Sequence, residues 1–178
     1  MLEIKLDFEY MDQRFTFDAL VKKGDPYIFE IGEEQLIDKI FYKLCGLDNI
    51  GVEFACVVAD QLDFSKSSSN NILALGDSGM FLPNKTVGAN LYKAYRARMK
   101  KIDAMRKVIE VLDIYGLSDI ANVKIKKLDE GRLIDVALAR AHVRNPLLVV
   151  VKRVGGYISC QTEIDFTKFE QSYIIEIR

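Results

Sequence analysis

Cysteine and histidine, the side chains most often used for covalent, proton-transfer and metal chemistry, number only three and one in this 178-residue sequence. Cys45, Cys56 and Cys160 stand far apart in apolar settings, with no Cys-x-x-Cys. They read as buried free thiols in a reducing cytoplasm, neither a disulfide set nor a zinc site. The single histidine, His142, has no serine, cysteine or aspartate arrangement pointing to it, so a packed or partly exposed histidine is expected and not a general base. What remains is charge. Glu30, Glu33, Glu34 and Asp38 place four carboxylates in nine residues, and Lys152-Arg153 close the apolar run Leu147–Val151. Between positions 93 and 107, Lys93, Arg96, Arg98, Lys100, Lys101, Arg106 and Lys107 face one acid, Asp103. A solvated helix face is the ordinary reading of such a run. The sharper reading is a surface for an acidic partner, a membrane face or nucleic acid, with Lys93, Arg96, Lys100 and Lys107 as partner-binding candidates. Tyr92 and Tyr95 fall on or near the apolar stripe, which makes stacking on bases the least expected use.

The elements that hold these residues can be read from periodicity. Leu2, Ile4, Leu6, Phe8 and Tyr10 alternate with polar residues, as in a half-buried strand. Phe15 to Val21 and Tyr27 to Ile31 give two more strands, separated by the breaker Lys22-Lys23-Gly24-Asp25-Pro26. After Gly32 the period changes: Leu36, Ile37, Ile40, Phe41 and Leu44 predict an amphipathic helix closed by Gly46. Val52 to Val58 and Ile72 to Leu75 read as strands, Ser65 to Asn71 as a surface loop, and Gly76-Asp77-Ser78-Gly79 as a turn. Residues 84–116 read as helical with a break, and Leu128 to Arg144 as a helix whose first turn carries Asp129 and Glu130. Leu147–Val151 is a strand buried on both faces. Tyr157–Cys160 and Tyr173–Ile177 read as last strands. Strands mixed with helices make this an α/β chain.

Composition excludes several classes. An apolar fraction of 49%, a charged fraction of 29% and a net charge of −1 describe a globular chain that is neither disordered nor a polycation. No apolar run approaches the roughly 18 residues of a membrane span. The start, MLEIKLDFEY, lacks the basic-then-apolar pattern of a signal peptide.

The segment from Lys127 to Val151, KLDEGRLIDVALARAHVRNPLLVVV, resembles the signature-helix-to-Walker-B block of ABC transporter ATPases, with VALARA, the Asn-Pro pair and the aliphatic strand at family spacing. Upstream, Phe81-Leu82-Pro83-Asn84-Lys85-Thr86-Val87-Gly88-Ala89-Asn90-Leu91 resembles the segment after the family's Q-loop. Val111–Asp119 is similar to the ELLELVGL stretch of its helical subdomain. The resemblance covers about residues 6 to 152. It implies a P-loop-NTPase-like, ABC ATPase-type sheet with flanking helices in a single domain over 1–178. A helical subdomain is inserted at about 84–130, and C-terminal strands at about 155–178 have no clear family counterpart.

The resemblance also implies ATP and magnesium as cofactors, and here the residues depart from the pattern. A Walker A loop is Gly-x4-Gly-Lys-Ser/Thr, whose amides curl round the phosphates while the lysine neutralises them and the hydroxyl holds magnesium. The matching stretch, Ile31-Gly32-Glu33-Glu34-Gln35-Leu36-Ile37-Asp38, has Ile37 at the lysine and Asp38 at the hydroxyl. Its carboxylates stand where a triphosphate would sit. Lys39 comes one residue late, about 100° round a helix. The Walker B acids are replaced by Lys152 and Arg153, and the signature motif reads Leu128-Asp129-Glu130-Gly131. Neither Gly76 nor Asp77 is the Q-loop glutamine, and no histidine follows the Walker B position. Tyr10 alone matches an expected contact, stacking on adenine, and serves equally as a sheet tyrosine. Asp129 and Glu130 read equally well as helix caps. Lys152-Arg153 read either as an exposed strand end or as the counter-ions of the Glu30–Asp38 loop, since buried opposite charges are stable only when paired.

The expectation is a chain with no catalytic residue, no bound cofactor and no metal. It would act as a non-catalytic subunit or regulator of a membrane transport complex, cytoplasmic and held at the inner face of the membrane through a partner. That partner would be an ABC permease, a complete ATPase subunit or a second copy. The alternatives are an ATP-binding transport subunit with unorthodox motifs, and an adaptor that takes an acidic partner or nucleic acid through residues 93–107.

Overall fold

Alternation of apolar residues builds the first sheet. In the computed structural model, which describes residues 1–45, 52–59, 62–63, 71–76, 81–142, 145–153, 158–159 and 161–178, β1 (Leu2–Tyr10) and β2 (Gln13–Val21) form an antiparallel hairpin. Side chains at 52–63 and those of Tyr10, Gln13, Glu34 and Gln35 lie outside the description. Leu2, Ile4, Leu6 and Phe8 all point into the core. The turn is two residues long, Met11 and Asp12, both at positive φ (49° and 60°), a backbone whose twist suits adjacent strands. Neither is glycine, so the turn left no mark in the sequence. On its other side β1 pairs antiparallel with β4 (Val52–Ala59), and β4 with the short β5 (Leu62–Asp63), giving the order β2-β1-β4-β5.

The second sheet is parallel, in the order β3-β8-β7-β6, from β3 (Pro26–Phe29), β6 (Ile72–Leu75), β7 (Leu148–Lys152) and β8 (Tyr173–Ile177). Parallel strands are covered on both faces, and every residue of β7 and β8 is buried accordingly. Between β3 and the rest runs α1 (Glu34–Leu44), whose Leu36, Ile37, Ile40, Phe41 and Leu44 join one core with Leu148, Val150, Tyr173, Ile175 and Ile177. The aromatic rings of Phe17 and Phe29, 3.9 Å apart at their centroids, tie β2 to β3. The strand at Tyr173–Ile177 therefore completes the sheet from inside, between β3 and β7. The strand expected at Tyr157–Cys160 is not one at Ile158 and Ser159, which have irregular backbone; Tyr157 and Cys160 lie outside the described residues.

These sheets make up one compact unit, Met1–Gly76 with Pro146–Arg178; a second spans Asp77–Asn145. The helical stretch expected at 84–116 divides into α2 (Val87–Arg96) and α3 (Lys101–Ile114), and α4 (Glu130–His142) follows in the same unit. Thr86 caps α2 through its hydroxyl, which accepts from the Ala89 amide at 3.2 Å. Buried Asn90 holds the chain before α2 by accepting from the Leu82 amide (2.8 Å) and donating to the Leu82 and Thr86 carbonyls (3.2 and 3.0 Å). Buried Tyr95 donates its hydroxyl to the Ala139 carbonyl at 3.0 Å, joining α2 to α4. The Ser65–Ser69 loop, the turn at 77–79, Gly46 and the last expected helical residues, 143–144, lie outside the described residues. Among the described residues no helix is long and apolar enough to cross a membrane.

Candidate functional site

Ligand sites of open parallel sheets lie beyond the carboxyl ends of the strands. In this sheet those ends bring together the Glu30–Glu33 loop after β3, Gly76 after β6, Lys152 and Arg153 at the end of β7, and Glu176 and Arg178 at the end of β8. The loop is held as extended chain: the Arg178 amide donates to the Phe29 carbonyl at 2.8 Å, and the Ile31 amide to the Arg178 carbonyl at 2.7 Å. Helix α1 begins directly after it. The amides of Leu36 and Ile37 both close on the Glu33 carbonyl, each at 3.1 Å, and are spent inside the helix.

Side chains then fill the space between α1 and the strand ends. Ile37 faces inward and is 2% exposed, part of the core. One residue on, Asp38 Oδ1 accepts from Lys152 Nζ at 2.7 Å. The lysine side chain is 6% exposed and the aspartate 45%, so the pair is dry on one side and wet on the other. The ammonium also lies over the rings of Phe41 and Tyr42, 5.6 and 6.0 Å from their centroids. A buried cation needs such company, because the cost of removing it from water is offset only by a close counter-charge and further contacts.

Arg153 is buried more completely. Its Nε donates to Glu176 Oε2 at 3.0 Å, and its Nη1 donates to the Ser159 and Thr162 carbonyls at 3.2 and 2.6 Å. Glu176 Oε2 also accepts from Arg178 Nη2 at 3.2 Å. One carboxylate in the middle of the sheet thus serves two guanidinium groups, while Arg153 fastens the segment after β7. Gly76, at φ 114°, passes so near this point that a Cβ there would come within 2.5 Å of the Lys152 carbonyl oxygen. Gly32 is different: it has no positive φ, and a Cβ would meet nothing within 4 Å.

Of the residues singled out in the sequence, the structure brings Asp38 and Lys152 into contact, the paired alternative for Lys152 alone; Arg153 pairs with Glu176, outside the Glu30–Asp38 loop. Glu33 and Gly32 are exposed. Asp129 caps α4: its Oδ1 accepts from the Arg132 amide at 2.8 Å, beside Leu128, Glu130 and Gly131. His142 packs edge-on against Tyr115, with Nδ1 and the phenol oxygen 3.2 Å apart. Lys93 and Lys100 are exposed; Arg96 donates to the Met99 carbonyl at 2.9 Å, and Lys107 pairs with Glu110. Tyr95 is buried, which removes it as a stacking platform. The side chain of Tyr10 lies outside the description, while its backbone pairs with Gln13 in the hairpin. Among the described residues no group of His, Cys, Asp or Glu could hold a metal ion. Glu176 and Arg178 were not anticipated. The signal was present: a glutamate inside the apolar run Tyr-Ile-Ile-Glu-Ile has to be paired with a cation.

No protein-family model matches the chain. Over 85 residues it is 36% identical to the cell division ATP-binding protein FtsE of Mycobacterium tuberculosis, a match spanning 47% of this chain and 37% of that protein. Among solved structures it is similar to the ATP-binding cassette MJ0796 in a dimeric post-hydrolysis state bound to ADP and Pi. That likeness covers 99% of this chain and 87% of the other, with a TM-score of 0.67 at 16% identity. It is similar as well to MJ1267, an ATP-binding cassette of an ABC transporter in its ADP conformation, over 99% of this chain and 79% of the other, with a TM-score of 0.70 at 15% identity. At those identities the structural likeness is one of fold.

Proposed function

From the premise that this chain has the fold of ABC transporter ATP-binding domains, we propose that it is a non-catalytic member of that type, a subunit or regulator in a membrane transport complex that does not hold nucleotide. The observation that carries the reading is the Lys152–Asp38 ion pair. The resemblance puts Asp38 at the magnesium-holding hydroxyl and Lys152 at the Walker B aspartate. Here the two neutralise each other, and neither is left to meet a metal or a phosphate.

Three further features support it. Ile37, at the position of the phosphate lysine, lies in the core, where an ammonium would be buried without a counter-ion. A phosphate cradle needs glycine where backbone must approach the ligand, yet Gly32 has an ordinary φ and open space around it. Glu30 and Glu33, both exposed, add negative charge beside the start of α1. The residues present do not fit a magnesium–triphosphate. Its partners in this reading are a permease, a complete ATPase subunit or a second copy.

The test is a titration of the chain with fluorescent ATP and magnesium, repeated by calorimetry with unlabelled ATP. Absence of saturable binding up to millimolar ATP is expected. A micromolar dissociation constant overturns the reading and favours an ATP-binding subunit.

A further inference from the structure

The largest exposed apolar side chains of the helical unit stand on α3: Ile102 is 71%, Met105 53% and Ile109 70% exposed. Three such residues at intervals of three and four make a row, which is a feature of contact surfaces. At about 100° per residue, Ile102, Arg106, Ile109 and Asp113 fall within about 60° of one another, with Met105 beside them. Arg106 and Asp113 are both exposed. Seven residues apart on one helix, they are about 10 Å from each other along the axis and cannot pair within it.

The C-terminal charge of α3 is placed against the helix dipole. Lys100 stands at the N-cap and Lys101 at the first position, with Asp103 the one acid of the first turn, while the last turn has no basic residue and carries Asp113. Positive charge at a helix N-terminus and negative charge at the C-terminus are both unfavourable. A helix running the opposite way with the same sequence can set a cation against the adverse Asp113 end.

We propose that α3 is a self-association surface, on which the same face of a second copy of this chain packs antiparallel. A twofold axis beside Ile109 brings the two Ile109 side chains together. It sets Arg106 opposite the partner's Asp113 and Asp113 opposite the partner's Arg106, as an isologous interface requires. Antiparallel packing also opposes the two helix dipoles. An anionic lipid surface fits less well, since α3 carries Asp103, Glu110 and Asp113 against Lys101, Arg106 and Lys107 and is neutral overall. This inference does not depend on the nucleotide site.

Sedimentation equilibrium of the full chain tests it. The wild type is expected to dimerise at micromolar concentration, and Ile109→Glu, at an exposed position, to weaken the dimer at least tenfold while melting as the wild type does at concentrations where both are monomeric. Arg106→Asp should weaken it similarly, and Arg106→Asp with Asp113→Arg should restore it, because the swap keeps the surface self-complementary. A chain that stays monomeric overturns the proposal. So does a dimer indifferent to Ile109→Glu, or a monomer that sediments with phosphatidylglycerol vesicles.

Discussion

Lys152 and Asp38, 114 positions apart in sequence, meet at 2.7 Å between the end of β7 and the second turn of α1. Their burial is unequal, and so are the expected costs of breaking the pair. Asp38→Ala orphans an ammonium that is 6% exposed and should cost about 2–3 kcal/mol, toward the low end for an uncompensated buried ion because water can follow. Lys152→Met puts an apolar chain end where the ammonium lies over Phe41 and returns a half-exposed carboxylate to solvent, at less than about 1 kcal/mol. Urea unfolding of both variants and of the double mutant measures this. Equal costs for the two single changes would contradict it.

Arg153, buried at the end of β7, is expected to be the most sensitive strand-end residue of the parallel sheet. Arg153→Ala removes the hydrogen bonds to Glu176, Ser159 and Thr162 together and should cost about 3–5 kcal/mol. Arg153→Lys should recover less than half, since one ammonium cannot reproduce a planar fork. Amide hydrogen exchange should quicken at Ser159 and Thr162 in both variants.

Burial pushes the Cys45 thiol far above its usual range. The thiolate is the reactive form, so in a Cys56→Ser/Cys160→Ser background Cys45 should resist a thiol reagent at pH 8 and react at once in denaturant. A native-state reaction as fast as in a free thiol would place Cys45 at the surface.

Two carboxyls outside the site should titrate low. A hydrogen bond from Arg14 holds Asp7 below the ordinary carboxylate range, and one from the Thr167 hydroxyl does the same for Asp165, with the Thr167 amide adding to it. Because the folded values are depressed, whatever stability these groups give is complete above the unfolded value of about 3.9 and disappears as pH falls through the folded value. Carboxyl carbon titration by NMR should place both midpoints low. Arg14→Ala should move the Asp7 midpoint up without moving that of Asp165.

Much of this was legible beforehand because it rests on periodicity and composition. The alternation at Leu2–Phe8, the helical spacing at Leu36–Leu44 and the aliphatic run at Leu147–Val151 each state their burial directly. The hairpin turn at Met11-Asp12 was not legible, since Asp12 alone is of a type that favours positive φ and no glycine accompanies it. The Lys152–Asp38 contact was readable only as one of two alternatives, because pairing across 114 residues depends on strand order. The Glu176 link to Arg153 was missed for the same reason, although a carboxylate in a buried strand demanded some cation. Asp129 needed only local geometry, and capping was already one of its two readings.

Gly76 sets a limit on how such a chain can change. The resemblance places a glutamine at 76 or 77. At 76 any side chain would collide with the Lys152 carbonyl and occupy a φ of 114° that only glycine takes easily. A single substitution at 76 is therefore barred: a side chain becomes admissible there only after the neighbouring strand has moved away.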